Sequence, residues 1–252
     1  MKKRIFTILI CYIILILVIV GIIGIFNIDS KKDADKIQVI ATIFPNYDFV
    51  KQIGGDKIEV TLLLNSGVDS HSYEPSVKDM KNISDSDIFI YTGTTTEPWA
   101  EEIIDSLENS GCKIVDSSKD IELIESEAFS EEYNALSDES HEHSDELEDY
   151  EYDGHIWLDP QNAIKMIDNI CDALCEFDSE NSDYYKQNAE NYKKEIQELD
   201  LEIEQALNNL DSNVLVFGGE FAYSYFISRY DLEYVSVYSS CRRRGGTKCS
   251  RG

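Results

Sequence analysis

The sequence predicts an α/β fold of two lobes, each with a mostly parallel sheet flanked by helices, joined by one long helix, with the second lobe incomplete. Three observations predict it. Apolar runs of strand length alternate with helically periodic segments from Ile37 to Val115, the pattern of a parallel sheet covered on both faces. Asp183 to Leu210 contains neither Gly nor Pro and repeats Ile196, Leu199, Ile203, Leu207 and Leu210 at spacings of three and four, as a helix long enough to span two lobes would. After it, only two further runs read as strands, too few for a sheet with its own core.

In chain order, Ile37 to Ile43 reads as a buried strand. Phe44-Pro45 opens a helix that Gly54-Gly55 closes, and Ile58 to Leu64 is the second strand. A loop from Asn65 to Glu74 leads into a helix with Pro75 near its start and Val77, Met80 and Ile83 on its inner face. Asp87 to Tyr91 is a third strand, followed by a helix around Trp99 to Leu107 and a short strand from Lys113 to Val115. Residues 125–153 break the pattern with thirteen carboxylates, no Lys or Arg, and both His141 and His143, and read as a mobile acidic loop. Asp159-Pro160 supplies an N-cap and an N1 proline for the next helix. Met166, Ile167, Ile170 and Leu174 give that helix an apolar face; Cys171 and Cys175 belong to the face rather than to a metal pair. Beyond the long helix come a strand (Val214 to Phe217), a loop (Gly218 to Glu220), a helix (Phe221 to Arg229) and a strand (Tyr234 to Tyr238).

These readings divide the chain into an N-terminal anchor and linker (1–36), a first lobe (37–182) containing the acidic loop, an interlobe helix (183–210), the start of a second lobe (211–241) and a foreign-looking tail (242–252). Lys2, Lys3 and Arg4 precede an uncharged, mostly apolar run from Ile5 to Phe26, long enough to cross a bilayer as a helix. No Ala-x-Ala-like site follows, and Cys11 is preceded by Ile10 rather than a small residue. The run therefore reads as an uncleaved anchor with its basic end in the cytoplasm and the remainder of the chain outside. The six cysteines suggest no disulfide framework. With 22 Lys+Arg against 49 Asp+Glu and a formal net charge of -27, the chain repels phosphates, which excludes nucleic acid as a partner and favours cations.

Only four histidines are present: His71, His141, His143 and His155. Two lie in the acidic loop and two follow or flank first-lobe strands, where open α/β sheets place ligands. Imidazole is a preferred ligand for zinc and other transition metals. The segments Gly67-Val68-Asp69-Ser70-His71-Ser72-Tyr73-Glu74-Pro75-Ser76, Asp87 to Gly93, Glu97-Pro98-Trp99 and Gly154-His155-Ile156-Trp157-Leu158-Asp159-Pro160 resemble, in order, the zinc/manganese substrate-binding proteins of bacterial ABC transporters. The resemblance runs from about Ile37 to Tyr238 and includes the long helix.

What the resemblance implies is an ion held between two lobes by His71, His155 and a second-lobe residue that falls on Glu220, with a late carboxylate some tens of residues beyond Tyr238. A Glu in the third position leans towards Mn(II), whereas a His- and acid-rich loop leans towards Zn(II). Zn(II) is favoured, with His141 and His143 as weak, exchangeable auxiliary ligands. The implied partner is an ABC permease, and the protein is expected to be a monomer and not an enzyme. The alternatives are an adhesin or metal sensor on the same fold and, further off, a zinc hydrolase, although no His-Glu-x-x-His occurs. Trp99 and Trp157 read as core. The tail from Arg242 to Gly252 has five basic and no acidic residues and reads as an out-of-frame continuation. One permitted codon assignment, shifted by a base, encodes an acidic Glu-x-Glu-Pro-like segment of the family's kind.

Overall fold

A computed structural model describes residues 36–107, 110–125, 152–219 and 221–236. The expected anchor at Ile5 to Phe26, His141, His143, Glu220 and the tail lie outside these residues. Among the described residues, no helix is long and apolar enough to cross a membrane.

The first lobe is built on four parallel strands, β1 (Ile37–Ala41), β2 (Ile58–Leu62), β3 (Ile88–Tyr91) and β4 (Lys113–Asp116), in the order β2-β1-β3-β4. Register runs Ile37 to Ile58 through Ala41 to Leu62, Val39 to Ile88, and Ile88 to Lys113. The order reverses between β1 and β3, so their carboxyl ends form the crevice where open α/β sheets bind ligands.

Side chains alternate across the pleat, and each face has its own cover. Val39, Ile88, Ile90 and Val115 pack under α1 (Phe44–Gly54), α5 (Pro160–Phe177) and α6 (Ser182–Asn208). Ile40, Phe89 and Tyr91 pack under α2 (Val77–Ser84) and α4 (Ala100–Leu107). The expected doubly covered parallel sheet is thus present. A four-residue helix, α3 (Gly93–Thr96), had no counterpart in the sequence pattern; Gly93 begins it at φ 76°, in the left-handed region that favours glycine.

Two helix faces differ from the periodicity. Ile83 is buried and Met80 packs against the core, but Val77 is 88% exposed. The helix starts at Val77, three residues before Met80 opens its buried stripe, because Ser76 and Asp79 form a capping box that places Val77 at N1. In α6, which ends at Asn208 rather than Leu210, the fully buried apolar residues are Tyr185 and Ala189 in its first half, whereas Leu199 of the expected stripe is about half exposed, as is Leu210 just past the helix end. Among the described residues, the second lobe is a parallel pair, β5 (Val214–Phe217) and β6 (Glu233–Ser236), linked by α7 (Ser224–Arg229), and it leaves the second half of α6 largely uncovered. Helix α7 begins three residues later than Phe221.

The second lobe is fastened to α6 by a polar cluster. Asp200, buried on α6, accepts from Arg229 Nη2 (2.6 Å), Tyr230 Oη (2.9 Å) and Gln161 Nε2 (2.9 Å). Burial opposes its ionisation, but these donors together hold its carboxyl below the usual range. On α5, Asp159 caps the helix through Gln161 N–H (2.8 Å) with Pro160 at N1, as the sequence predicts. The sulfurs of Cys171 and Cys175 stand 4.0 Å apart, and burial pushes the Cys171 thiol up to about 12, which fits a packed face.

Candidate metal centre

His71 belongs to the loop after β2, and His155 directly precedes a single 3₁₀ turn (Ile156–Leu158) that leads into α5. The fold brings the two together. Their ring centroids lie 5.5 Å apart with the planes at 64°. Two imidazoles on one tetrahedral zinc, with Zn–N of about 2.0–2.1 Å, would place their centroids about 5 Å apart, so the spacing suits a shared ion.

Each histidine is preceded two residues earlier by an aspartate that folds the chain into a local turn. Asp69 Oδ1 accepts His71 N–H (3.0 Å), and Asp69 Oδ2 accepts Ser72 Oγ–H (2.7 Å). Asp153 Oδ1 accepts His155 N–H (2.9 Å) and also meets His155 Nδ1 at 2.6 Å. Burial works against the Asp153 charge, yet the hydrogen bond and the charge of His155 outweigh it and lower the pKa. An ionised carboxylate only accepts, so Nδ1 carries a proton, and in the neutral ring the lone pair then lies on Nε2, where an electrophile can take it. The His71 ring is held below the ordinary histidine range by burial first and by neighbouring His155 second. A neutral imidazole is the form that binds a metal.

The segments around the two histidines are tied to each other through Glu97-Pro98-Trp99 and its neighbours. Trp99 Nε1–H donates to the Ser70 carbonyl (2.8 Å), and its ring meets Tyr73 at 5.0 Å. Trp99 therefore braces the His71 loop as well as packing against the core, a role beyond the one the sequence suggests. Thr96 Oγ1–H donates to the Gly154 carbonyl (2.8 Å), and a Cβ on Gly154 would come within 2.6 Å of that hydroxyl and 3.0 Å of Thr96 Cα. Only glycine allows this approach next to His155. Behind them, at the carboxyl ends of β1 and β3, lies a buried polar layer. Asn46 Nδ2 donates to Thr92 Oγ1 (2.7 Å), Ser117 Oγ donates to Asn46 Oδ1 (2.9 Å), and Thr92 N–H donates to Glu97 Oε2 (2.5 Å). Full burial pushes the Glu97 carboxyl up to about 7.

Asp153, counted by composition among the acidic loop residues, is buried and attached to His155. The Asp-x-His spacing shared by residues 69–71 and 153–155 was visible in the sequence and is the signal that could have singled it out. The segment containing His141 and His143 leaves and returns at an isolated antiparallel bridge, Glu125 with Tyr152, and Asp153 N–H donates to the Ile124 carbonyl (2.9 Å). Among the described residues, no group of three or more His, Cys, Asp or Glu is gathered in a way that could hold a metal ion.

The family described as the periplasmic component A of the zinc-uptake complex matches residues 39–245. The chain belongs to this family. Streptococcus pneumoniae AdcA, a zinc-binding lipoprotein, is 30% identical over 209 residues, which are 82% of this chain and 40% of AdcA. Bacillus subtilis ZnuA, a high-affinity zinc uptake system protein, is 35% identical over 172 residues, which are 68% of this chain and 51% of ZnuA. The crystal structure of Zn(II)-bound AdcA superposes with a TM-score of 0.68 at 27% identity over 81% of this chain and 40% of AdcA. The laminin-binding protein Lbp of Streptococcus pyogenes gives 0.64 at 27% identity over 81% of this chain and 68% of Lbp. The chain thus spans 40% to 51% of the length of these curated relatives. For this member of the zinc-uptake component A family, the α/β architecture and the parallel first-lobe sheet agree with those neighbours.

Proposed function

We propose that the protein is the extracytoplasmic, membrane-tethered metal-binding component of an ABC transporter, capturing Zn(II) and delivering it to a permease for uptake. Ions are held by His71 and His155 of the first lobe and Glu220 of the second, and His141 and His143 serve as auxiliary ligands. The observation that carries this reading is the facing pair of imidazoles, 5.5 Å between centroids, with the His155 Nδ1 tied to Asp153. Family membership and the zinc-binding names of AdcA and ZnuA support the choice of ion. Binding and hand-over exchange only metal–ligand bonds and transform no substrate, so the protein acts as a carrier rather than as an enzyme, and it works as a monomer with no affinity for nucleic acid.

The test is ligand-induced thermal stabilisation, since an ion that binds only the folded state raises stability by mass action. With zinc at about one hundred times Kd, the wild-type protein gains about 2.7 kcal/mol. Replacing either His71 or His155 by Ala is expected to remove most of that gain, and an unchanged zinc-induced shift in both variants would refute the ligand assignment. A second reading, adhesion, is favoured by the likeness to Lbp. Saturable attachment to immobilised laminin with no dependence on zinc would support it over transport.

A further inference from the structure

One side chain of the second lobe enters the first-lobe core. Tyr225, on α7, is 2% exposed and, among the described residues, is the one residue after α6 that joins the cluster of Val39, Ile88, Ile156 and Met166. Its hydroxyl is placed between the two strands of chain that bound residues 126–151. Tyr225 Oη accepts the Ile124 N–H (3.1 Å) and donates to the Asp153 carbonyl (2.8 Å). The same two residues are joined by Asp153 N–H to the Ile124 carbonyl (2.9 Å), so the phenol closes a small ladder whose next rung is the Glu125–Tyr152 bridge.

The location gives that hydroxyl a consequence for the site. Asp153 is fixed by Tyr225 through its backbone and fixes His155 through its carboxylate. Tyr225 also stands five residues after Glu220, on the helix that follows the Glu220 segment. We infer that Tyr225 is a positioning residue for the metal site: its hydroxyl holds the Asp153 backbone beside His155 and helps to dock α7 on the first lobe, although it touches no ion. The inference rests on the reading of His71, His155 and Glu220 as ligands.

A Tyr225→Phe variant of the full chain in detergent keeps the buried ring and removes the hydroxyl. Tyr192→Phe is the control, since Tyr192 Oη donates to Asp48 (2.7 Å) in the α1–α6 contact and, among the described residues, makes no hydrogen bond to Asp153 or His155. Zinc affinity is read by competition with a chelator, and amide exchange is followed at Ile124 and Asp153. The expected result is a Kd raised about tenfold or more in Tyr225→Phe and less than threefold in Tyr192→Phe, with faster Ile124 exchange only in the former. Equal losses in the two variants, or faster Ile124 exchange without weaker binding, would overturn the inference alone. Absence of zinc binding by the folded wild type would overturn the functional reading and this inference together. Should Tyr225→Phe not fold, the wild type still decides it, because coupling is reciprocal: zinc is expected to slow Ile124 exchange, and no change would refute the coupling.

Discussion

Replacing Asp153 by Asn isolates one interaction at the site. Asn has nearly the same shape, and its carbonyl oxygen can still accept the His155 N–H that forms the turn at 2.9 Å. What it removes is the negative charge 2.6 Å from Nδ1, on a side chain only 4% exposed and hence poorly screened. Losing the partner that orients a metal-binding imidazole typically costs 10- to 100-fold in affinity, about 1.4–2.7 kcal/mol. The Asp69→Asn variant provides the internal comparison. Among the described residues, Asp69 accepts the backbone N–H of His71 at 3.0 Å and the Ser72 hydroxyl and makes no hydrogen bond to an imidazole ring, so its loss should weaken zinc by about threefold or less. Competition titrations at pH 7.5, paired with thermal melts of the metal-free proteins, separate affinity from stability. Equal affinities for wild type and Asp153→Asn would refute the argument that the carboxylate sets the tautomer and aim of His155. Equal losses for the two Asn variants would show that turn formation, not the ring contact, is what matters.

Two further outcomes follow from the buried carboxyl and from the acidic segment. Glu97 is held at about 7 against an ordinary 4.5, so as pH rises the unfolded chain ionises first. Its contribution to stability is full below about pH 4.5 and is lost by about pH 7, a change of about 3 kcal/mol. Melts of wild type and Glu97→Gln across pH 4–8 should show the wild type losing stability relative to the variant over that window, and parallel curves would refute the assignment. Deleting residues 137–150, which leaves the Glu125–Tyr152 bridge in place, should reduce the number of weakly bound zinc ions and preserve one tight site. Loss of the tight site on equilibrium dialysis would mean that the segment supplies a ligand to it.

The order of strands and helices was legible where apolar runs carry their own punctuation: Pro45, Gly54-Gly55 and Asp159-Pro160 sit at the element ends they signal, and Pro75 lies just before α2. Periodicity was less informative where burial depends on a neighbour rather than on the helix. Val77 satisfies the apolar spacing of α2 and is still exposed, because the capping box and not the stripe fixes where the helix begins. The stripe of α6 is real in sequence, yet among the described residues little lies over its second half. At the site, His71 and His155 stand out by residue type alone. The groups that hold them, Trp99 through Ser70, Thr96 through Gly154, and Tyr225 through Asp153, act on backbone carbonyls and so leave no pairwise pattern in the sequence.

The arrangement divides the proposed ligand set unevenly, and the division bears on how an ion would be taken up and released. Both imidazoles belong to a first lobe in which their turns, Trp99, Thr96 and the Asp153 carboxylate fix them from several sides. On the second-lobe side, α7 is pinned at both ends, by Tyr225 in the first-lobe core and by Arg229 with the following Tyr230 on Asp200. Between β5 and α7 the packing is different, since a Cβ on Gly218 or Gly219 would meet nothing within 4 Å. Within the metal-carrier reading, His71 and His155 stay where the first lobe holds them. Two imidazoles in a chain of net charge -27 would then gather the cation, and the proposed second-lobe carboxylate would govern its retention.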